Sequence, residues 1–307
     1  MSLETDLLLD RRRLKRRLVF WRVFSVLTVV VAVLVGLKGA GIGPSGPHIV
    51  RVSVDGLISE NRKFTESIEK LADDRQVKAV ILAIDSPGGS VAGGETIHDA
   101  IARVAAKKPV VVTMGGLAAS AGYMIALPAQ RIFAREATLT GSIGVLLETG
   151  EVSGLLEKLG IGATVIRSGP LKDEPSLVRP LSPQGREVLQ NLVNDMYGQF
   201  VAMVASGRHM DEAKVRALAD GRAYTGRQAL GLGLIDAIGG EREAKAWLVS
   251  AKGIPEDLPV EDLTQNRFIS RLFSGSLGIM VQGLWKTLIS QSVSLDGAWA
   301  VWQRPGS

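Results

Sequence analysis

Two short stretches carry the side chains best suited to chemistry. "GGLAASAGYMIALPAQ", from Gly115 to Gln130, sets one hydroxyl, Ser120, among residues too small to shield it. "RSGPLKDEPS", from Arg167 to Ser176, sets Lys172 on a Gly-Pro loop. Each residue alone has an ordinary explanation: a serine at a helix start is most often an N-cap, and a loop lysine is most often a solvated charge. Together they offer nucleophilic catalysis, because a neutral amine can take the proton of a serine hydroxyl. An amine used this way must titrate at roughly 7 or 8 instead of ~10.4, which corresponds to ~4 kcal/mol of destabilisation of the ammonium, attainable in an apolar cleft. No histidine is then required, and His48, His98 and His209 stand in no serine-histidine motif. Asp173 and Glu174 flank the lysine and would favour its ammonium, so both are expected to point away from the cleft. A third stretch, "DSPGGS" from Asp85 to Ser90, is expected to be a tight turn after a buried strand, with glycines that free backbone N–H groups to face a ligand.

The surrounding pattern alternates apolar β-rich runs with helical segments. "IVRVSVDG" opens the body, and "VKAVILAIDSPGGSVAGGETIHDAIARV" predicts a buried strand over Ala79 to Ile84, a turn, and a helix from about Gly93. "PVVVTMGG" predicts the strand before Ser120, and a short helix after it runs up to "RIFA". "TLTGSIGV" and "GATVIRSG" predict two more strands, with "GLLEKLG" a helix between them. Pro183 to about Ser206 predicts a long helix, and "DEAKVRALAD" a shorter one capped by Asp211. Such alternation implies an α/β fold with a mostly parallel sheet and crossover helices.

The net charge of +5 is local: residues 1–22 hold seven Lys/Arg and three acids, leaving 29 basic and 28 acidic residues beyond them. A nearly neutral body removes the argument for a phosphate-binding surface, so nucleic acid is not expected as a partner. The basic cluster, Arg11 to Arg17, precedes an uncharged run from Val23 to Leu37. Counted from Leu18, with Arg22 reaching the headgroups, about twenty residues can cross a ~30 Å hydrocarbon layer. The basic side stays cytoplasmic, so the body is expected outside the cytoplasm. Leu37 and Lys38 suit a cleavage site poorly, which favours an uncleaved anchor over a removed signal peptide. The expected organisation is a basic cytoplasmic segment (1–22), a transmembrane anchor (23–38), a linker (39–48), a catalytic domain (49–262) and an apolar extension (263–307) holding three of the five tryptophans. That extension reads first as packing against a neighbour, and second as a membrane-surface helix. The absence of cysteine is compatible with an extracytoplasmic body without disulfides.

From about Ile49 to Gly240 the chain resembles the short-form bacterial signal peptide peptidases, membrane-anchored Ser-Lys peptidases with the fold shared by crotonases and the caseinolytic protease. "DSPGG", "AASAGY", "TGSIGV", "SGPLKD" and "GRAYTGRQALGLGLIDAIGG" occur in family order. The resemblance implies that Ser120 is the nucleophile and Lys172, fifty-two residues later, the base. It implies that Ser142 orients the lysine amine, and that Gly88 or Gly89 with the N–H of Ala121 forms the oxyanion hole. It further implies repeated ββα units, no cofactor or metal, and a homo-oligomeric ring in which neighbouring subunits share the dyad. The expected protein is a single-pass, inner-membrane serine endopeptidase that cuts apolar peptides, notably remnant signal peptides, beside membrane lipid. A related protease cutting a membrane-protein tail, a non-catalytic scaffold and an acyl-CoA enzyme are the alternatives, since one fold serves many functions.

Overall fold

The computed structural model describes residues 46–263 and scattered helical positions between 17 and 31. Eight strands form one sheet: β1 (His48–Ile58), β2 (Val77–Gly89), β3 (Val110–Ala119), β4 (Arg131–Ala134), β5 (Leu139–Gly141), β6 (Ala223–Thr225), β7 (Ala237–Ile238) and β8 (Val260–Asp262). Their order is β6-β5-β3-β2-β1-β8, with β4 pairing β3 and β7. Every pairing is parallel except the antiparallel β5–β6. The mostly parallel α/β sheet expected from the alternation is therefore present.

Valine and isoleucine dominate the central strands because both faces are covered. Val50, Val52, Val80, Leu82 and Ile84 face the larger core, shared with helices α1 (Arg62–Leu71), α2 (Val91–Ala105) and α3 (Ala121–Met124). Ile49, Ala79, Ile81 and Val111 face a smaller core; the helix on that side, which is the last of the described chain, spans Glu241–Lys252 and adds Ala244 and Leu248. A long helix, α5 (Pro183–Arg208), follows the six-residue α4 (Ser153–Lys158) and starts at an N-cap, Ser182, whose hydroxyl accepts the Gly185 N–H. Asp211 caps α6 (Glu212–Leu218) as expected, accepting the Ala213 N–H.

Four expectations change. "DSPGG" is no tight turn: β2 runs on to Gly89, and only Gly88, at φ +107°, bends the chain. Continued pairing of Leu57 with Gly88 and Ile58 with Gly89 keeps this stretch extended, so β1 overrides the turn propensity of Pro-Gly-Gly. Helix α2 starts at Val91, two residues early, because the Ser90 hydroxyl accepts the Gly93 N–H. "GATVIRSG" is irregular instead of a strand. Its β-branched residues pair with no strand among the described residues, and Ile166 is 96% exposed. "RIFA", read only as the end of a helix, is the strand β4. Most of the expected anchor and the whole extension beyond Leu263 lie outside the described residues, among which no helix is long and apolar enough to cross a membrane.

Candidate active site

Ser120 stands where β3 ends and α3 begins. β3 reaches it through an irregularity. Ile84 pairs with Met114 and Ser86 with Ala118, so β3 spends two extra residues between the same two rungs. The Asp85 carboxylate holds this bulge by accepting the Leu117 N–H at 3.0 Å. Beyond it the serine N–H donates to Gly141 O at 2.9 Å, and the serine carbonyl accepts from Tyr123 and Met124. These bonds fix the backbone at φ 54°, ψ −123°. A non-glycine residue there stores on the order of 1–3 kcal/mol of strain. The side chain makes no capping bond, so the N-cap alternative does not occupy the hydroxyl.

Ser120 opens on a cavity of about 720 Å³, which Ser142 also lines. β5 explains their meeting: Ala119 pairs with Gly141, so the next residue of each strand lies at the same end of the sheet. Ser142 has φ 48°, its N–H donates to Arg222 O at 3.0 Å, and its hydroxyl donates to Gly221 O at 3.2 Å. Gly88 presses on the nucleophile from the other side. A Cβ there would lie 2.8 Å from Ser120 Cβ and 3.1 Å from the Ala121 nitrogen. Thus Gly88, Ser120, Ala121 and Ser142 are brought together, and Gly89 lines the same cavity.

Lys172 is not among the residues lining that cavity; it lies exposed in the loop after the irregular stretch. Its two acidic neighbours lie against other parts of the chain. Asp173 pairs with Arg179 at 2.6 Å, and its carboxyl is held below the usual range by that guanidinium and the Ser176 hydroxyl. The Glu174 carboxyl lies against Gly185, at the first turn of α5.

Two contributors went unread in the sequence. One face of α5 supplies Gln190, Val193, Asn194 and Tyr197 to the cavity, at the spacing i, i+3, i+4, i+7. That spacing was the available signal. The other is Asp220, the one charged side chain lining the cavity among the described residues. Its carboxylate accepts from Arg222 Nε at 2.7 and 2.9 Å, which holds it below the usual carboxylate range. No group of three metal-ligating side chains occurs among the described residues.

The site can be placed among known proteins. The family model "Peptidase family S49" matches residues 102–254, and that of the Clp protease matches 58–140. A Synechocystis sp. protein described as a protease is 39% identical over 229 residues, 74% of this chain and 83% of that protein. The chain belongs to peptidase family S49. An Enterococcus faecium protein described as signal peptide peptidase SppA is 35% identical over 82% of this chain and 78% of its own length. A chloroplastic serine protease SPPA of Arabidopsis thaliana is 33% identical over 76% of this chain and 34% of its own length. This S49 protein is accordingly an SppA-like serine peptidase.

Proposed function

We propose that this S49 peptidase hydrolyses apolar peptides through a Ser120–Lys172 dyad completed between subunits of a homo-oligomer, with remnant signal peptides as substrates. The observation that carries the nucleophile is the strained backbone of Ser120, whose hydroxyl is released from capping into a mostly apolar cavity. Ser120 Oγ attacks the scissile carbonyl while a neutral Lys172 amine takes its proton. The N–H of Ala121 and of one glycine of the Gly88–Gly89 pair receive the oxyanion, each worth ~3–4 kcal/mol in the transition state. The protonated amine then gives its proton to the leaving amine, and water, activated by the same lysine, releases the acyl group. Ser142 orients the lysine from the opposite wall.

Sharing between subunits is supported by two features of one segment. Lys172 lies away from the cavity of its own chain, and the segment leading to it exposes Leu146, Leu155, Leu159, Ile161 and Ile166. An apolar surface of this kind calls for a covering partner. Burial there would also remove the ammonium from water, as the base requires. The substrate reading is supported by Leu57, Val91, Val145, Leu146 and Val193 along the cavity, and by the likeness to the Enterococcus faecium protein. The body is proposed to lie outside the cytoplasm behind a single-pass anchor, next to membrane lipid.

Subunit mixing tests the reading. Ser120→Ala and Lys172→Ala proteins, each inactive, are dissociated, mixed and reassembled with exchange verified by two tags. Recovered hydrolysis is the expected result. Verified mixed assemblies no more active than either parent refute the shared site, and wild-type turnover by Lys172→Ala refutes the base.

A further inference from the structure

Behind the nucleophile lies a hydroxyl with no part in the steps above. Ser86 is fully buried, yet its neighbours are three backbone segments of the site. Its hydroxyl donates to Gly56 O on β1 at 2.6 Å and accepts the Gly88 N–H at 3.1 Å. The first turn of α3 rests on the same residue: a Cβ at Gly122 would lie 2.9 Å from Ser86 O. The side chain thus ties the β1 end to Gly88, and the main chain of the same residue packs closely on Gly122 in the helix behind Ser120.

These bonds divide the two glycines between different tasks. Gly88 N–H is committed to Ser86. Ser90 N–H donates to Ile58 O, toward β1. With the Gly88 N–H taken, the Gly89 N–H is the donor of the pair left for the cavity, which Gly89 lines together with Ser120. We propose that Ser86 is a positioning residue for the oxyanion hole. By holding Gly88 N–H inward it fixes the backbone so that Gly89 N–H, together with Ala121 N–H, faces the oxyanion. A buried serine satisfies one backbone donor and one acceptor in the space of a single small side chain. Alanine would leave both Gly88 N–H and Gly56 O unpaired, and the Pro87–Gly88 peptide would be free to turn.

The inference rests on the peptidase reading of Ser120 and is tested separately from it. In the full-length protein, Ser86→Ala and Ser86→Cys are compared with wild type for kcat per titrated active site, KM, and affinity for a peptide aldehyde, whose hemiacetal oxygen enters the oxyanion hole. Loss of an oxyanion donor outright costs about 10²–10³ in kcat; loss of its support is expected to lower kcat about 10- to 100-fold and weaken the aldehyde in parallel, with KM unchanged. A purely structural role would lower the melting temperature and the titrated fraction but leave kcat per site intact, and that result overturns the proposal. If Ser86→Ala does not fold, Ser86→Cys, which keeps the volume with a weaker hydrogen-bonding group, decides on the same readouts. Activity in Ser120→Ala would instead count against the peptidase reading itself.

Discussion

Replacing Gly88 by alanine is the sharpest probe of how the nucleophile is held. A Cβ there meets Ser120 Cβ at 2.8 Å, Ala119 O at 3.0 Å and the Ala121 nitrogen at 3.1 Å, and the residue sits at φ +107°. The backbone conformation costs an L-residue ~1–2 kcal/mol. Overpacking against main chain, which cannot rotate away, adds ~1–3 kcal/mol. The expected loss is therefore ~3 kcal/mol, or a melting temperature lower by roughly 6–12 °C at ~2–4 °C per kcal/mol for a domain of this size. The clash pushes directly on Ser120 and Ala121, so hydrolysis should fall about 100-fold or more, as for a ~1 Å misplacement. Gly253→Ala is the control. That residue caps the last described helix at φ +66°, with no heavy atom within 4 Å of its added Cβ. It should lose only ~1 kcal/mol and keep full activity. Thermal melts and peptide hydrolysis on both variants measure the difference. A Gly88→Ala protein as stable and active as Gly253→Ala would refute the close approach on which the site is built.

Other expectations follow from individual contacts. Ser120→Gly removes the nucleophile and relieves the φ 54° backbone, so it should be inactive yet at least as stable as Ser120→Ala by denaturant titration. Asp236→Ala strips Arg208, whose side chain is 9% exposed, of its 2.6 Å partner, and should cost ~3–5 kcal/mol in the same assay. Glu243 is held at about 2 from 4.5, chiefly by the Gly240 N–H and then by Arg242. Its folded value is depressed, so its contribution is complete above pH 4.5 and fades as pH falls toward 2. Glu243→Gln should flatten that part of the stability profile, and an unchanged acid limb would contradict the assignment.

The central strands were legible in the sequence because their apolar runs are long enough to be buried on both faces. The long helix and the Asp211 cap were legible from period and capping chemistry. What escaped was set by pairing. "DSPGG" carries the composition of a turn, and only the register of Ile58 with Gly89 keeps it extended. Val165 and Ile166 have the composition of a strand, but pair with no strand among the described residues. Ser120 was singled out from its small neighbours, whereas its strained backbone depends on Gly141 O, and the approach of Ser142 on the β3–β5 register. Asp220 and the α5 face were missed because a cavity wall is assembled from segments about 30 to 100 residues away from the nucleophile.

The exposed apolar segment ahead of Lys172 has a consequence for when the enzyme can act. If the base arrives only with a neighbour, a newly made chain is inert toward the polypeptides emerging around it, and no propeptide is needed to keep it so. Turnover then rises more steeply than in proportion to the amount of protein, falling away on dilution as subunits separate. Local concentration would become the switch, and variants of Leu155 or Leu159 would alter the threshold while leaving the chemistry of a formed site unchanged.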